Sequence, residues 1–382
     1  MIPAIQRLTS FEFVRLVPRA DLDSLLAAGV LQATLSEHEI DVAINLDPKA
    51  ALDARDEQSL LINLPAPRGR GLAQIESPQD SSVTANVISS LEEFFAVSTW
   101  HKILAMIAGH YGGLDLGKEG FRGVEKAILN ELLTTGNIQQ RMGFRFWGLE
   151  RLPLASAMAR TAIPFMAGLT GSRDACMKVI ARVARDKDPG KVRAEDIGLE
   201  SGQDVAKKFV DALNDAINLP DEQRKRALLR LIGSKYSFTV DDKPLDLSEM
   251  MGALVTYASI DVRGPTRVPL LALDKALSFV VLLKFEDVID EVAGDVGMLT
   301  NYLAGQGVLR PKALKRPELL IEALKSVGLV NPKRPVVIEV DGRNLTSLAE
   351  LIRTGVDPET AYSSCDEVQL CEVREHGGVV KA

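Results

Sequence analysis

Asp21 and Asp23 are the residues best placed to do chemistry. They stand two apart, directly after the apolar run Phe13-Val14-Arg15-Leu16-Val17-Pro18 and at the head of the apolar stretch Leu22 to Leu31. This order reads as a buried strand, a tight acidic loop and a helix. In open α/β sheets ligands bind outside the carboxyl ends of the strands. Two carboxylates there offer the oxygen ligands that a divalent cation wants. The competing reading is that Asp21 caps the helix, and on this fragment alone it is the better one. Arg19, two residues before Asp21, can supply the positive charge that a metal otherwise brings to paired acids.

The following segments have the rhythm needed to hold such a loop. Glu39 to Leu46 alternates polar and apolar residues, as a strand does. Ser59 to Leu64 is a continuous apolar run suited to a strand buried on both faces. Gly71 to Glu76 is a fourth, weaker strand. Ser81-Ser82 caps a helix carrying Val83, Val87, Ile88, Leu91 and Phe94 on one face. A helix from Trp100 to Ala108 ends at Gly109-His110-Tyr111-Gly112-Gly113, and another from Phe121 to Thr135 stops at Gly136. Strands alternating with helices predict an α/β unit with a doubly wound parallel sheet over residues 1–140.

Residues 141–236 read as a helical connector, with Val205, Phe209, Leu213 and Ile217 on one stripe. Pro220 opens a helix from Asp221 to Ile232 that carries Arg224, Lys225, Arg226 and Arg230. Residues 237–382 read as an α+β unit. Its expected strands are Ser237 to Val240, Ala253 to Ile260 and Pro335 to Val340, with a helix from Leu270 to Leu283 and a basic run Arg310, Lys312, Lys315 and Arg316. The two basic segments are the candidate nucleic-acid contacts, although a charged face is more often simply solvated.

Composition narrows the class. The chain of 382 residues is 46% hydrophobic and 25% charged, as ordinary globular proteins are. Its net charge of −7 is uneven: residues 1–100 hold 7 Lys and Arg against 14 Asp and Glu, and the rest hold 38 of each. An acidic first unit is poorly suited to gripping phosphates and better suited to a basic protein surface. No apolar run is long enough for a bilayer, and the N-terminus lacks the layout of a signal peptide. Cys176, Cys365 and Cys371 are too few for a disulfide framework or a four-cysteine zinc site, so a reducing cytoplasm is expected. Of the four histidines, His38, His101 and His376 have no motif around them, and His110 alone sits in one.

The order of these motifs resembles that of the DHH phosphoesterase superfamily, in its RecJ-like branch, over about 140 residues. Active members open with strand-His-x-Asp-x-Asp-Gly-helix, where this chain has Arg19-Ala20-Asp21-Leu22-Asp23-Ser24. Asn63 stands where a later strand ends in a bridging Asp, Glu76-Ser77-Pro78 where the Asp-His-His signature follows, and His110 where an Asp precedes a glycine turn. Gly377-Gly378 after His376 is similar to the glycine motif of the RecJ-type C-terminal domain, in reversed order. The family's chemistry needs two divalent ions clamped by carboxylates and histidines. The resemblance therefore implies that Arg19, Asp21, Asp23, Asn63, Glu76 and His110 are vestiges of a metal site, with no catalytic residue and no cofactor. It points to the archaeal relatives of CDC45, with a DHHA1-like C-terminal unit. For these the implied role is a non-catalytic part of the replicative helicase assembly, nucleoid-associated, with GINS, MCM and weakly held single-stranded or forked DNA as partners. Two rivals stand beside it: an active metal-dependent exonuclease or phosphodiesterase with substituted ligands, and a metal-free regulatory domain that binds a nucleotide in the old cleft.

Overall fold

The computed structural model describes residues 3–53, 58–68, 72–116, 120–184, 186–200, 202–305 and 308–373. Four parallel strands form the first sheet: β1 (Phe13–Pro18), β2 (Asp41–Ile44), β3 (Ser59–Ile62) and β4 (Ala73–Ile75), in the order β2-β1-β3-β4. Leu16 lies beside Leu60 and Ile44 in register. Because side chains alternate across a pleated strand, the apolar run of β1 feeds two cores. Val14, Leu16, Leu60 and Ile62 join the main core, while Val17 and Leu61 join a second cluster on the opposite face.

On the main-core face the Leu22–Ser36 helix packs on the strands, and the helices Val83–Leu91 and Thr99–Tyr111 pack on it and on each other. The first is buried on nearly every side, from Leu22 to Leu35, which matches its apolar residues all round. Gly29 shows how close the packing is. A Cβ there would lie 2.4 Å from the Pro269 carbonyl oxygen, so only glycine lets the helix approach the next layer. The opposite face is covered by Ala51, from the Lys49–Asp53 helix, and by the far end of the chain, through Leu348, Leu351, Ala361 and Tyr362. A parallel sheet covered on both faces explains the unbroken apolar strands.

Two antiparallel sheets complete the structure. The first joins β5 (Ile138–Phe144), β6 (Ile232–Val240) and β7 (Lys243–Asp246), with Ile138 opposite Phe238 and Phe144 opposite Ile232. The second has the order β10-β9-β8, from β8 (Ile338–Val340), β9 (Arg343–Ser347) and β10 (Leu370–Glu372).

Three sequence readings are corrected. Residues 141–236, read as a mostly helical connector, carry several helices but begin and end in paired strands. β5 escaped notice because Gln139, Gln140, Arg141 and Met142 are all exposed, so the alternation that marks a strand is missing. Ala253 to Ile260, read as a strand, lies almost wholly in a helix, Leu247–Ser259, capped by Asp246, whose side chain accepts from the Glu249 amide at 2.9 Å. That helix is buried nearly all round, and a short apolar run has no periodicity to separate helix from strand. The single helix expected over Leu270 to Leu283 is two, Leu270–Leu273 and Leu277–Gly297, parted at Asp274. Cys365 and Cys371 are disulfide-bonded, a pairing that the cysteine count did not suggest, while Cys176 is free and buried. Among the described residues no helix is long and apolar enough to cross a membrane.

Candidate functional site

The motif acids meet at the carboxyl ends of β1 and β3, where each is committed to a helix. Asp21 caps the Leu22–Ser36 helix, accepting from the Ser24 amide at 3.1 Å and the Ser24 hydroxyl at 2.9 Å. The Arg19 guanidinium donates through Nε to the same carboxylate. Burial alone would lower the Arg19 pKa, but the charge and hydrogen bond of Asp21 outweigh it and the net shift is upward.

Asp23 is buried and caps a different helix, Val83–Leu91. It accepts from the amides of Val83 at 2.9 Å and Thr84 at 3.0 Å, and from the hydroxyls of Thr84 at 2.8 Å and Ser77 at 3.1 Å. Burial, with the nearby charge of Asp21, pushes its carboxyl up to about 6, against the pull of these hydrogen bonds.

Asn63 links the two acids. It ends β3 in the left-handed region, at φ 54°, where Asn is tolerated better than most residues. Its amide donates to the Ser24 hydroxyl at 2.9 Å and the Ser77 hydroxyl at 3.1 Å, while its carbonyl accepts from the Ser77 amide at 2.7 Å. Both hydroxyls already donate to aspartates, Ser24 to Asp21 and Ser77 to Asp23. They therefore need a donor from the third side, which a carboxamide has and an ionised carboxylate lacks.

The remaining motif positions lie apart from this network. Glu76 is exposed. His110 is buried, and its Nδ1 lies 2.9 Å from Asp115 Oδ2, to which Arg145 Nη2 also pairs at 3.0 Å. Burial pushes the Asp115 carboxyl up, but His110 and Arg145 overcome it and hold the carboxyl below its usual range. Among the described residues no three His, Cys, Asp or Glu side chains converge into a group able to hold a metal ion. The His38 ring lies tilted against Phe95, with centroids 4.3 Å apart, and the buried His101 bonds the Ala272 carbonyl at 3.0 Å. His376, Gly377 and Gly378 lie outside the described residues.

The basic candidates divide. Arg224 and Lys225 pair within their own helix with Asp221 and Glu222, and Arg226 is exposed. Arg310 pairs with Glu339 at 3.0 Å. Lys312 is exposed, and its amide and those of Ala313 and Leu314 bond the Asp295 carboxylate. Lys315 donates to the Lys312 carbonyl at 3.4 Å. Arg316 is corrected: it is fully buried, bound to Glu318 and to the carbonyls of Val262 and Val368, each at 2.9 Å, so it tethers the fold and offers nothing to a nucleic acid. Arg230 is turned inward, to a cleft.

That cleft, of about 310 Å³, opens between the end of β1 and the helices Glu318–Ser326 and Leu348–Arg353. Arg19, Asp21, Tyr111, Arg230, Glu322 and Glu350 are among its walls. Sequence reading did not assemble it, since its far wall lies some three hundred residues from Arg19; a Gly-Gly pair beside an aromatic, Tyr111-Gly112-Gly113, was its nearest signal. Gln369 seals one end. Its side chain accepts from the Ala20 amide at 2.9 Å and donates to the carbonyls of Pro18 at 2.7 Å and Leu46 at 3.0 Å.

No family model and no curated protein matches the chain by sequence. Among solved structures, CDC45 from Entamoeba histolytica is similar at 8% identity, with a TM-score of 0.53 over 90% of this chain and 85% of that one. At so low an identity the likeness is one of fold: a mixed α/β chain with a parallel sheet and many helices, similar in overall arrangement to CDC45.

Proposed function

We propose that this protein is a non-catalytic structural component of a DNA-replication assembly, an archaeal counterpart of CDC45 that works with GINS and the MCM ring. The observation that carries the non-catalytic part is the commitment of Asp23: its carboxylate terminates a helix with four hydrogen bonds and is shut away from any ion. Two-metal hydrolysis needs such acids open to the metals and the phosphate. The CDC45-like fold supports the replication part. The acidic first hundred residues favour a basic protein face over nucleic acid. DNA contact, weak without partners, falls to Arg224, Lys225, Arg226, Arg310, Lys312 and Lys315.

Two measurements test this reading. The purified chain is titrated calorimetrically with Mn²⁺ and assayed for cleavage of labelled single strands; the expected result is neither tight binding nor cleavage. Binding of two ions, with cleavage lost in Asp21→Ala, would establish the metal-dependent nuclease instead. Size-exclusion chromatography with a GINS subunit at low salt should show co-elution that weakens as salt rises. Separate elution at every salt would remove the partner assignment.

A further inference from the structure

At the opposite end of the parallel sheet, where the strands begin, aromatic side chains face solvent. Phe13 opens β1 and is 36% exposed, and Phe94, just past the Val83–Leu91 helix, is 46% exposed. The turn from the Leu22–Ser36 helix into β2 touches both segments. On one side of it the His38 ring lies against Phe95, whose centroid is 6.3 Å from that of Phe94. On the other side Asp41 is the register partner of Phe13, and its amide donates to the Glu12 carbonyl at 2.9 Å.

The charges around this aromatic face run against the helices that carry them. Glu37 is the C-cap of the Leu22–Ser36 helix and Glu92 that of the Val83–Leu91 helix, and neither helix has a basic residue in its last turn. A helix C-terminus is itself partly negative and favours cations, so an acid there costs stability. Glu12, Glu39, Asp41 and Glu93 are exposed at the same end. Lys102 pairs with Glu92 at 2.7 Å, whereas Glu12, Glu37, Glu39 and Asp41 make no ion pair among the described residues. Glu37 also acts on the buried His101, whose pKa burial nonetheless holds down.

We propose that this face docks a basic segment of a partner protein that carries large apolar side chains, with Phe13 and Phe94 as the apolar contacts and the surrounding acids as the rim. Exposed aromatics are the residues that anchor protein interfaces, and complementary charge steers the partner onto them. The charge decides the occupant. A nucleic-acid backbone or an anionic lipid surface would be repelled. A second copy of this chain meeting face to face would set acids against acids. The inference rests on the basic-partner reading above and gives it a place on the chain, but it commits only to the chemistry of the partner.

The test uses the full chain and three probes: a labelled amphipathic lysine–leucine peptide, a lysine–serine peptide of equal charge, and the GINS subunit. In fluorescence anisotropy the lysine–leucine peptide should bind at least about tenfold more tightly than the lysine–serine one, and both should weaken as salt rises. Phe94→Ser should weaken the lysine–leucine peptide by at least about tenfold. Glu37→Gln should weaken both peptides and flatten their salt dependence, while the ligand-free thermal midpoint stays level or rises because the acid at the helix end is gone. Leu283→Ser, at an exposed leucine of the Leu277–Gly297 helix, should change nothing. Equal binding of the two peptides, or equal binding by the wild type and both face variants, would overturn the proposal. In size-exclusion chromatography, GINS co-elution lost in Phe94→Ser supports it. Co-elution unchanged in both face variants places the partner elsewhere and overturns it, leaving the partner reading intact. Peptide binding that depends on the face, with no GINS co-elution from the wild type, upholds the docking face and removes GINS as its partner.

Discussion

A carboxyl buried beneath a helix N-terminus titrates with the fold, and Asp23 is such a group. Its ordinary value of 3.8 is raised to about 6 by burial and by Asp21. Between these values the folded chain holds a proton that the unfolded chain has released. This contribution to stability is therefore lost as pH rises through the window and stays lost above it, by about 3 kcal/mol in all. Asp23→Asn should flatten that slope in denaturant melts taken from about pH 4 to pH 7, and carbon-detected NMR of the wild-type carboxyl should show a midpoint well above that of a free Asp. Asn63 makes the complementary case. Asn63→Asp introduces a metal-ligand type but removes the donor that the Ser24 and Ser77 hydroxyls accept from and adds a third negative charge. The expected cost is about 1–3 kcal/mol in chemical denaturation, with no recovery on adding Mn²⁺. Recovery by Mn²⁺ would mean that an ion site survives there.

At the scale of elements, the Leu22–Ser36 helix is the spine of the main core, and its contact with the next layer depends on one missing methyl. Gly29→Ala sets a Cβ against the Pro269 carbonyl, which is backbone and cannot rotate away. We expect a loss of about 1–3 kcal/mol by thermal or urea unfolding, although alanine is the better helix former by about 1 kcal/mol. A stabilised variant would show that the two helices do not pack this closely in solution. The same reasoning explains why this helix was legible and the Leu247–Ser259 helix was not. In the first, Asp21 and Leu22 follow a strand and a proline, so start and stop signals frame the run. In the second, Asp246 is a cap, but the apolar stretch beyond it has no polar face to betray a period.

Over the whole molecule, the last described residues close on the first sheet. Gln369 joins the loop of the Cys365–Cys371 disulfide to the ends of β1 and β2 through three hydrogen bonds, and Tyr362 reaches the Pro65 carbonyl at 2.5 Å. Gln369→Ala should leave one buried amide and two carbonyls unanswered, at a cost of about 2–4 kcal/mol. Limited proteolysis should then cut near residue 369 at least several-fold faster than in the wild type, while the parallel sheet stays resistant. Unchanged protection would mean that the apolar cluster of Val17, Leu61, Leu348 and Tyr362 holds this end alone.

Local order determined the parallel sheet and the cap at Asp21, because strand alternation, capping preference and turn residues are properties of neighbours along the chain. That Asn63 stands at the position of a bridging carboxylate is an implication of the family resemblance, not of residue type. What Asp23 binds, that Arg316 is buried, that His110 belongs to Asp115 and Arg145, and that Arg230 faces a cleft all depend on partners distant in sequence. A carboxylate beside a strand end serves a metal or a helix equally well until the fold decides which donors arrive. Here the donors that arrive at Asp23 are the amides of Val83 and Thr84, sixty residues on.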